Sequence, residues 1–131
     1  MATYCKTVPR LEKRVFMIIA TDAPGMEAAR AEHLDGHLEY VEKHVDDYLI
    51  AGPLRDIGDD KLAGSFFLVA AESPEAAEAI VGGDPYFTSG LYGTIEKREF
   101  TASAGHWMGG VIWQDADEIR AYANQARPSG D

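Results

Sequence analysis

The sequence has few basic residues, a single cysteine and only short apolar runs. Lys and Arg number 12 against 22 Asp and Glu, which gives a formal net charge of -10. This charge repels phosphate backbones and anionic lipid surfaces, so we expect no nucleic-acid partner and no membrane partner. Cys5 cannot form an internal disulfide, and a lone cysteine fits a reducing compartment. We therefore expect a cytoplasmic protein.

The apolar runs are too short for a membrane helix or a secretion signal. A spanning helix needs roughly 20 apolar residues, and the run at residues 15–20 has only six. That run follows basic residues, as in a signal peptide, but it is too short for the hydrophobic segment of one. The 131 residues and the 46% apolar content are sufficient for one ordinary hydrophobic core.

Hydrophobic patterns in the first half of the chain predict three strands and one helix. Continuous apolar runs at residues 15–20 and 66–71 are typical of strands buried on both faces, and the second strand is expected to span 65–71. Turn residues at 21–25 lead into a long amphipathic helix over about residues 26–46. A short strand follows at 48–51, and we expect it to form a hairpin with the strand at 65–71.

The second half of the domain predicts another helix and a last strand. Ser73 is a good N-cap residue and Pro74 suits the first helical position, so a short helix begins there and ends at a glycine pair. A brief helical turn follows Asp84, and residues 91–101 predict a long strand. This order of elements is that of an α+β, ferredoxin-like βαββαβ subunit.

Two helices can cover only one face of a four-stranded sheet. The other face carries apolar residues of both buried strands, and a large apolar patch is rarely left in water. We therefore expect a homodimer, in which a second copy of the chain covers this face. We divide the chain into an N-terminal arm (1–13), a ferredoxin-like domain (14–103) and a C-terminal tail (104–131) with a helix near 115–126.

The long predicted helix carries two neighbouring stripes of side chains. The first stripe is apolar, and its helical spacing predicts that it faces the core. It consists of Leu34, Leu38, Val41, Val45 and Tyr48. The second lies one position earlier, about 100° around the helix; it consists of His33, His37, Tyr40 and His44. Side chains at the shared edge are positioned by the core and can reach a cleft, where a titratable group is useful for chemistry.

His33 and His37 also have the spacing of a two-histidine metal site. The central Glu of the zinc motif His-Glu-x-x-His is missing, however, and no third ligand is identifiable. We therefore predict no metal site and no cofactor.

Several short motifs, in this order and spacing, resemble those of the YciI-like (YCII-related domain) proteins. They are Arg30, His37-Leu38-Glu39-Tyr40, Ala51-Gly52-Pro53-Leu54, Gly64-Ser65, Ser73-Pro74-Glu75-Ala76-Ala77 and Asp84-Pro85-Tyr86 with Gly90-Leu91. The resemblance covers about residues 14–103. It implies a ferredoxin-like subunit in a dimeric α+β barrel, with a His and an Asp in a cleft as a proposed catalytic pair.

Carried onto this chain, the family histidine falls on His37 and the family aspartate on Asp84. The interval from His37 to Gly52 is shorter than in the best-known members, and the Arg-x-x-His pattern after Arg30 makes His33 a competing assignment. A carboxylate next to an imidazole fixes its tautomer and raises its basicity, which suits proton transfer at carbon. Alternatively, Asp84 before Pro85 is an ordinary helix N-cap.

Other residues are candidates for holding the substrate. Arg30 suits a carboxylate or phenolate, or else forms an ion pair with Glu27 or another carboxylate. Ser65 is a candidate hydrogen-bond donor to a ligand, and Gly52 with Pro53 is expected to shape the cleft wall. Aromatic residues that suit a ring-binding pocket, or simply the core, are Tyr86, Phe87, Tyr92 and Trp107.

The sequence is compatible with two functions. The first is a cofactor-independent enzyme that uses His37 and Asp84 to move a proton in an elimination, dehydrochlorination or isomerisation of a small cyclic or aromatic metabolite. The second is a non-catalytic module that uses the same cleft to bind a small ligand or a partner protein.

Overall fold

The computed structural model describes residues 6–124. Cys5 and the last residues of the helix predicted near 115–126 lie outside this range. The chain forms two compact units: Arg14–Phe100 is one, and the described parts of Met1–Lys13 and Thr101–Asp131 form the other. Within the described range, no helix is long and apolar enough to cross a membrane.

The first unit is an α+β fold built on one antiparallel sheet. Its elements are β1 (Arg14–Asp22), α1 (Glu27–Glu32), α2 (Leu34–Lys43), a 3-10 turn (Val45–Asp47), β2 (Tyr48–Leu54), β3 (Gly64–Ala71), α3 (Pro74–Gly82), α4 (Pro85–Thr88) and β4 (Tyr92–Phe100). The strands lie in the order β2-β3-β1-β4, and all three neighbouring pairs are antiparallel. The predicted hairpin of β2 with β3 is therefore present.

Side chains alternate along each strand, so each strand contributes to both faces of the sheet. The two faces differ in how deeply their side chains are buried. Core residues of one face come from β1 and β3 and pack against Ala77 and Val81 of α3; they include Phe16, Ile18, Phe67 and Val69. The opposite face is also apolar but only half-buried; it includes Met17, Ile19, Phe66 and Leu68. Phe100 at the end of β4 is 43% exposed.

The long helix predicted over residues 26–46 is divided in the structure. It is interrupted at His33, whose φ of -98° and ψ of 6° depart from helical values. The hydrogen bonds continue across the interruption, because the His33 amide donates to Ala29 and the His33 carbonyl accepts from His37. The spacing of the side chains is therefore kept, which is why periodicity alone predicted one helix.

The prediction that the apolar stripe of this helix faces the core is wrong for three of its members. Leu34, Leu38 and Val45 are 43%, 49% and 58% exposed. Tyr48 is buried, and Val41 packs against the core from a partly buried position. The two leucines line the cavity that is described below. An amphipathic pattern marks the apolar side of a helix, but it does not tell a core from a cleft.

The second unit contains a small sheet and a helix. Strands β5 (Ala104–Gly105) and β6 (Gly110–Val111) pair, and Thr7 bridges to Val111 in parallel. The N-terminal arm is therefore paired with β6 at this point. Helix α5 (Ala116–Asn124) begins as predicted, since Asp115 accepts a hydrogen bond from the Glu118 amide at 3.0 Å.

Candidate functional site

The structure places His37 of α2 against Asp84, the residue that precedes α4. Nδ1 of His37 lies 2.7 Å from Oδ2 and 2.9 Å from Oδ1 of the carboxylate. The Asp84 side chain is completely buried, whereas the imidazole retains 15% exposure. When the carboxylate is ionised it can only accept hydrogen bonds, so Nδ1 then carries the proton that is donated to it. In that neutral form of the imidazole, Nε2 is the nitrogen with a free lone pair.

A glycine and a proline bring the two helices together. A Cβ atom at Gly36 would lie only 3.1 Å from Cγ of Pro85. The absence of a side chain at this position of α2 therefore lets the helix approach the start of α4. Pro85 occupies the first turn of α4, where its missing amide proton costs nothing. Together these two residues set His37 next to Asp84.

Asp84 caps helix α4 and also contacts His37. Its Oδ1 accepts a hydrogen bond of 2.9 Å from the backbone amide of Tyr86, so it is the N-cap of α4. The same carboxylate also contacts His37. The cap holds the carboxylate in one orientation, and that orientation in turn defines where the imidazole ring lies.

The ring of Tyr86 forms a platform under the imidazole. The two ring centroids are 3.9 Å apart and the planes differ by 8°. The Tyr86 hydroxyl donates to the backbone carbonyl of Arg30 at 3.2 Å, and the side chain is only 1% exposed. Stacking below and the carboxylate at Nδ1 together leave His37 little rotational freedom.

Arg30 binds a carboxylate that the sequence did not single out. Its Nε and one Nη donate to the two oxygens of Asp22, both at 2.9 Å. The same Nη also contacts the Gly64 carbonyl at 3.0 Å and Oγ of Ser65 at 3.3 Å. The hydrogen bonds to Asp22 raise the pKa of the guanidinium above its ordinary value. Glu27, the partner considered from the sequence, contacts Lys61 instead.

Ser65 connects this arginine to a second tyrosine. The Tyr92 hydroxyl donates to Oγ of Ser65 at 2.7 Å, and Ser65 is 3% exposed. Burial raises the pKa of the Tyr92 hydroxyl. Asp22 and Tyr92 lie at the ends of β1 and β4, which are neighbours in the sheet. Pairing of strands that are distant in sequence creates this network, so no local sequence signal predicted it.

A cavity of about 800 Å³ opens next to these residues. Among the predicted site residues, those that line it are Arg30, His37, Gly52, Pro53, Ser65 and Tyr86. Apolar side chains of the helices, such as Leu34 and Leu38, form part of the wall. His33 is not among the lining residues, so of the two competing histidines only His37 lines this cavity. Trp107 belongs to the other unit.

His33 and His37 do not form part of a larger ligand cluster. Across the described residues 6–124, no group of three or more His, Cys, Asp or Glu side chains is arranged to hold a metal ion.

The buried tyrosines give the fold a stability that depends on pH. Burial raises the pKa values of Tyr48 and Tyr92 in the folded state. Their contribution is complete below the unfolded pKa of about 10 and is lost as the pH rises above it. We expect the free energy of unfolding to fall above about pH 10, by up to about 1.4 kcal/mol per pH unit for each tyrosine.

Urea denaturation followed by circular dichroism at several alkaline pH values measures this decline. Tyr48→Phe and Tyr92→Phe are each expected to make the decline shallower. A free energy of unfolding that stays constant between about pH 9 and 11 would contradict the burial of both hydroxyls.

Comparisons with known proteins identify the family of the chain. Residues 15–101 match the family model of the YCII-related domain. A similar solved structure is 5-chloro-2-hydroxyhydroquinone dehydrochlorinase (TftG) from Burkholderia phenoliruptrix AC1100, in complex with 2,5-dihydroxybenzoquinone. It is 26% identical, with a TM-score of 0.62, and the match covers 71% of this chain and 97% of the dehydrochlorinase. No curated protein matches the chain. The family inferred from the sequence motifs is confirmed: the chain belongs to the YCII-related domain family.

Proposed function

We propose that this protein is a cofactor-independent enzyme that moves a proton on a small cyclic or aromatic metabolite, with His37 as the base and Asp84 as the residue that orients it. The observation that carries the proposal is the contact of 2.7 Å between a fully buried carboxylate and an imidazole that lines a cavity. A base within reach of a bound ring and held in one tautomer is suited to general base catalysis.

The reaction follows from the free lone pair of His37 Nε2. This nitrogen takes a proton from an O–H or C–H group of the substrate. The electron pair left on the substrate forms a new C=O or C=C bond, and chloride departs with the bonding pair of the C–Cl bond from a tetrahedral carbon, which a chlorinated hydroquinone presents in its keto tautomer. The net change is the loss of HCl, so the step is balanced without an oxidant or a reductant. In an isomerisation, the imidazolium returns the proton to a different atom instead.

The choice of an elimination is supported by the similar structure. TftG is a dehydrochlorinase of a chlorinated hydroquinone, and its structure contains a dihydroxybenzoquinone. A ring of this size is small relative to the cavity, and the Tyr86 platform with the leucines of α2 offers it apolar contacts. A chlorinated, hydroxylated ring is therefore the first substrate class to test.

We further propose that the domain is a ferredoxin-like subunit of a cytoplasmic homodimer, a dimeric α+β barrel. The apolar, half-buried sheet face that carries Met17, Ile19, Phe66 and Leu68 supports this assembly. Burying it against a second copy would remove an apolar patch from water. Light scattering at micromolar concentration is expected to give twice the mass of the chain, and a stable monomer would refute the dimer.

The function is tested by a ligand screen followed by a turnover assay. We expect chlorinated hydroquinones to raise the melting temperature of the protein, because they bind only the folded state. Chloride release, measured with an ion-selective electrode, then reports turnover. Several stabilising ligands without release of chloride and without isomerisation would favour the non-catalytic binding module instead.

A further inference from the structure

Both cationic side chains that line the cavity are held by carboxylates of the same cavity. Arg30 makes its two hydrogen bonds of 2.9 Å with Asp22. Lys61 forms an ion pair with Glu27. The lining contains two further carboxylates, Asp56 and Asp59. With four carboxylates and two cations, the formal charge of the wall is -2 when His37 is neutral.

The ion pair of Arg30 with Asp22 is largely buried and well ordered by its hydrogen bonds, unlike an exposed surface ion pair. The two side chains are 11% and 13% exposed, and the geometry is bidentate. A carboxylate of a ligand would have to displace Asp22, or approach a guanidinium that Asp22 has already neutralised. Either route takes an anion from water into an acidic cavity without gaining a free cation, which is unfavourable.

We propose that Asp22 is a specificity-determining residue, which makes the cavity select uncharged ring substrates and reject their carboxylated or phosphorylated counterparts by occupying the guanidinium of Arg30. This inference rests on the proposed function, because it takes the cavity as the substrate site. It changes the role of Arg30, which the sequence suggested as a clamp for a substrate carboxylate or phenolate.

An uncharged substrate also fits the chemistry of the His37 base. A substrate that becomes negative only when Nε2 takes its proton lies next to the imidazolium that has just formed. The positive charge that stabilises the substrate anion is thus created by the proton transfer itself. A permanent cation in the cavity is not required to stabilise that anion. Arg30 instead holds Ser65 and the Gly64 carbonyl, and its guanidinium carbon lies 5.0 Å from the centre of the Tyr86 ring.

A pair of probes that differ only in charge tests this selectivity. Methyl 2,5-dihydroxybenzoate is neutral, and 2,5-dihydroxybenzoate carries a carboxylate on the same ring. Isothermal titration calorimetry of the full chain is expected to show that the neutral ester binds at least about tenfold more tightly than the anion. Equal affinities, tighter binding of the anion or no binding of the ester would overturn the proposal.

The variant Asp22→Asn tests whether Asp22 is the residue that causes the preference for the neutral ester. Asparagine keeps an oxygen that accepts from Arg30 but removes the charge, so the preference for the ester is expected to fall about tenfold. Asp56→Asn is the matched control, since Asp56 lines the same cavity but is not a described hydrogen-bond partner of Arg30. It is expected to change the preference less than about threefold.

The variant Asp22→Glu keeps the negative charge and is expected to keep the preference for the ester over the anion. It is the second variant to measure if Asp22→Asn does not fold, and a lost preference in it would contradict the role of the charge. An unchanged preference in Asp22→Asn, or an equal loss in Asp56→Asn, would overturn the role of Asp22. These binding measurements are independent of turnover. Selective binding without chloride release and without isomerisation would refute the proposed function alone, and turnover without selectivity would refute this inference alone.

Discussion

Replacing His37 with glutamine is expected to lower kcat/KM for the proton-transfer reaction by about 10² to 10⁴. Glutamine retains an N–H group that can donate to Asp84, but it has no basic nitrogen that can take a proton. The fold should persist, because the imidazole makes its contacts at the edge of the cavity and retains 15% exposure. Initial rates of chloride release measure the loss, and circular dichroism confirms that the variant is folded.

The matched control for this variant is His44→Gln. His44 lies at the end of α2 against the ring of Tyr40, with centroids 4.2 Å apart, and it is not a lining residue of the cavity. Its replacement is expected to change kcat/KM by less than about threefold. A His37→Gln variant that keeps wild-type activity while His33→Gln loses it would contradict the assignment and favour the competing histidine.

Replacing Asp84 with asparagine is expected to lower kcat/KM by a similar factor, about 10² to 10⁴, without unfolding the protein. The new amide group can donate a hydrogen bond to Nδ1 of His37, which stabilises the tautomer with the proton on Nε2. The lone pair that should accept the substrate proton is then lost. Steady-state kinetics of chloride release measure this effect.

The helix-capping role of Asp84 can be separated from its role at His37. Asparagine is as good an N-cap as aspartate, so Asp84→Asn retains an acceptor for the Tyr86 amide. Asp84→Ala loses that acceptor and is expected to cost about 0.5 to 2 kcal/mol in the free energy of unfolding. An Asp84→Asn variant with wild-type kcat/KM would show that the carboxylate acts only as a cap.

The fold was largely predictable because its signals are local. Apolar runs marked β1 and β3, and Ser73 with Pro74 marked the start of α3, where Oγ of Ser73 accepts from the Ala76 amide. The interruption at His33 was not predicted, because a change in φ and ψ at one residue leaves the side-chain period intact. The exposure of Leu34 and Leu38 was missed for a related reason, since periodicity does not show what faces an apolar stripe.

The candidate site was predictable only in part. His37 and Asp84 are 47 residues apart, and no local pattern joins them; their pairing was suggested by the family resemblance alone. The contribution of Gly36 depends on Pro85, which lies on another helix. The partners of Arg30 and Ser65, namely Asp22 and Tyr92, depend on the register of the sheet, which the sequence does not reveal.

The most direct test of the proposed mechanism is an experimental structure of the protein with a bound chlorinated hydroquinone or a non-reactive analogue. The distance to be measured is that between Nε2 of His37 and the nearest oxygen or carbon that bears the labile proton. We predict a distance of about 2.6 to 3.2 Å, with Nδ1 still held by Asp84. A ligand that occupies the cavity without reaching Nε2, directly or through one water molecule, would contradict the assignment of His37 as the base.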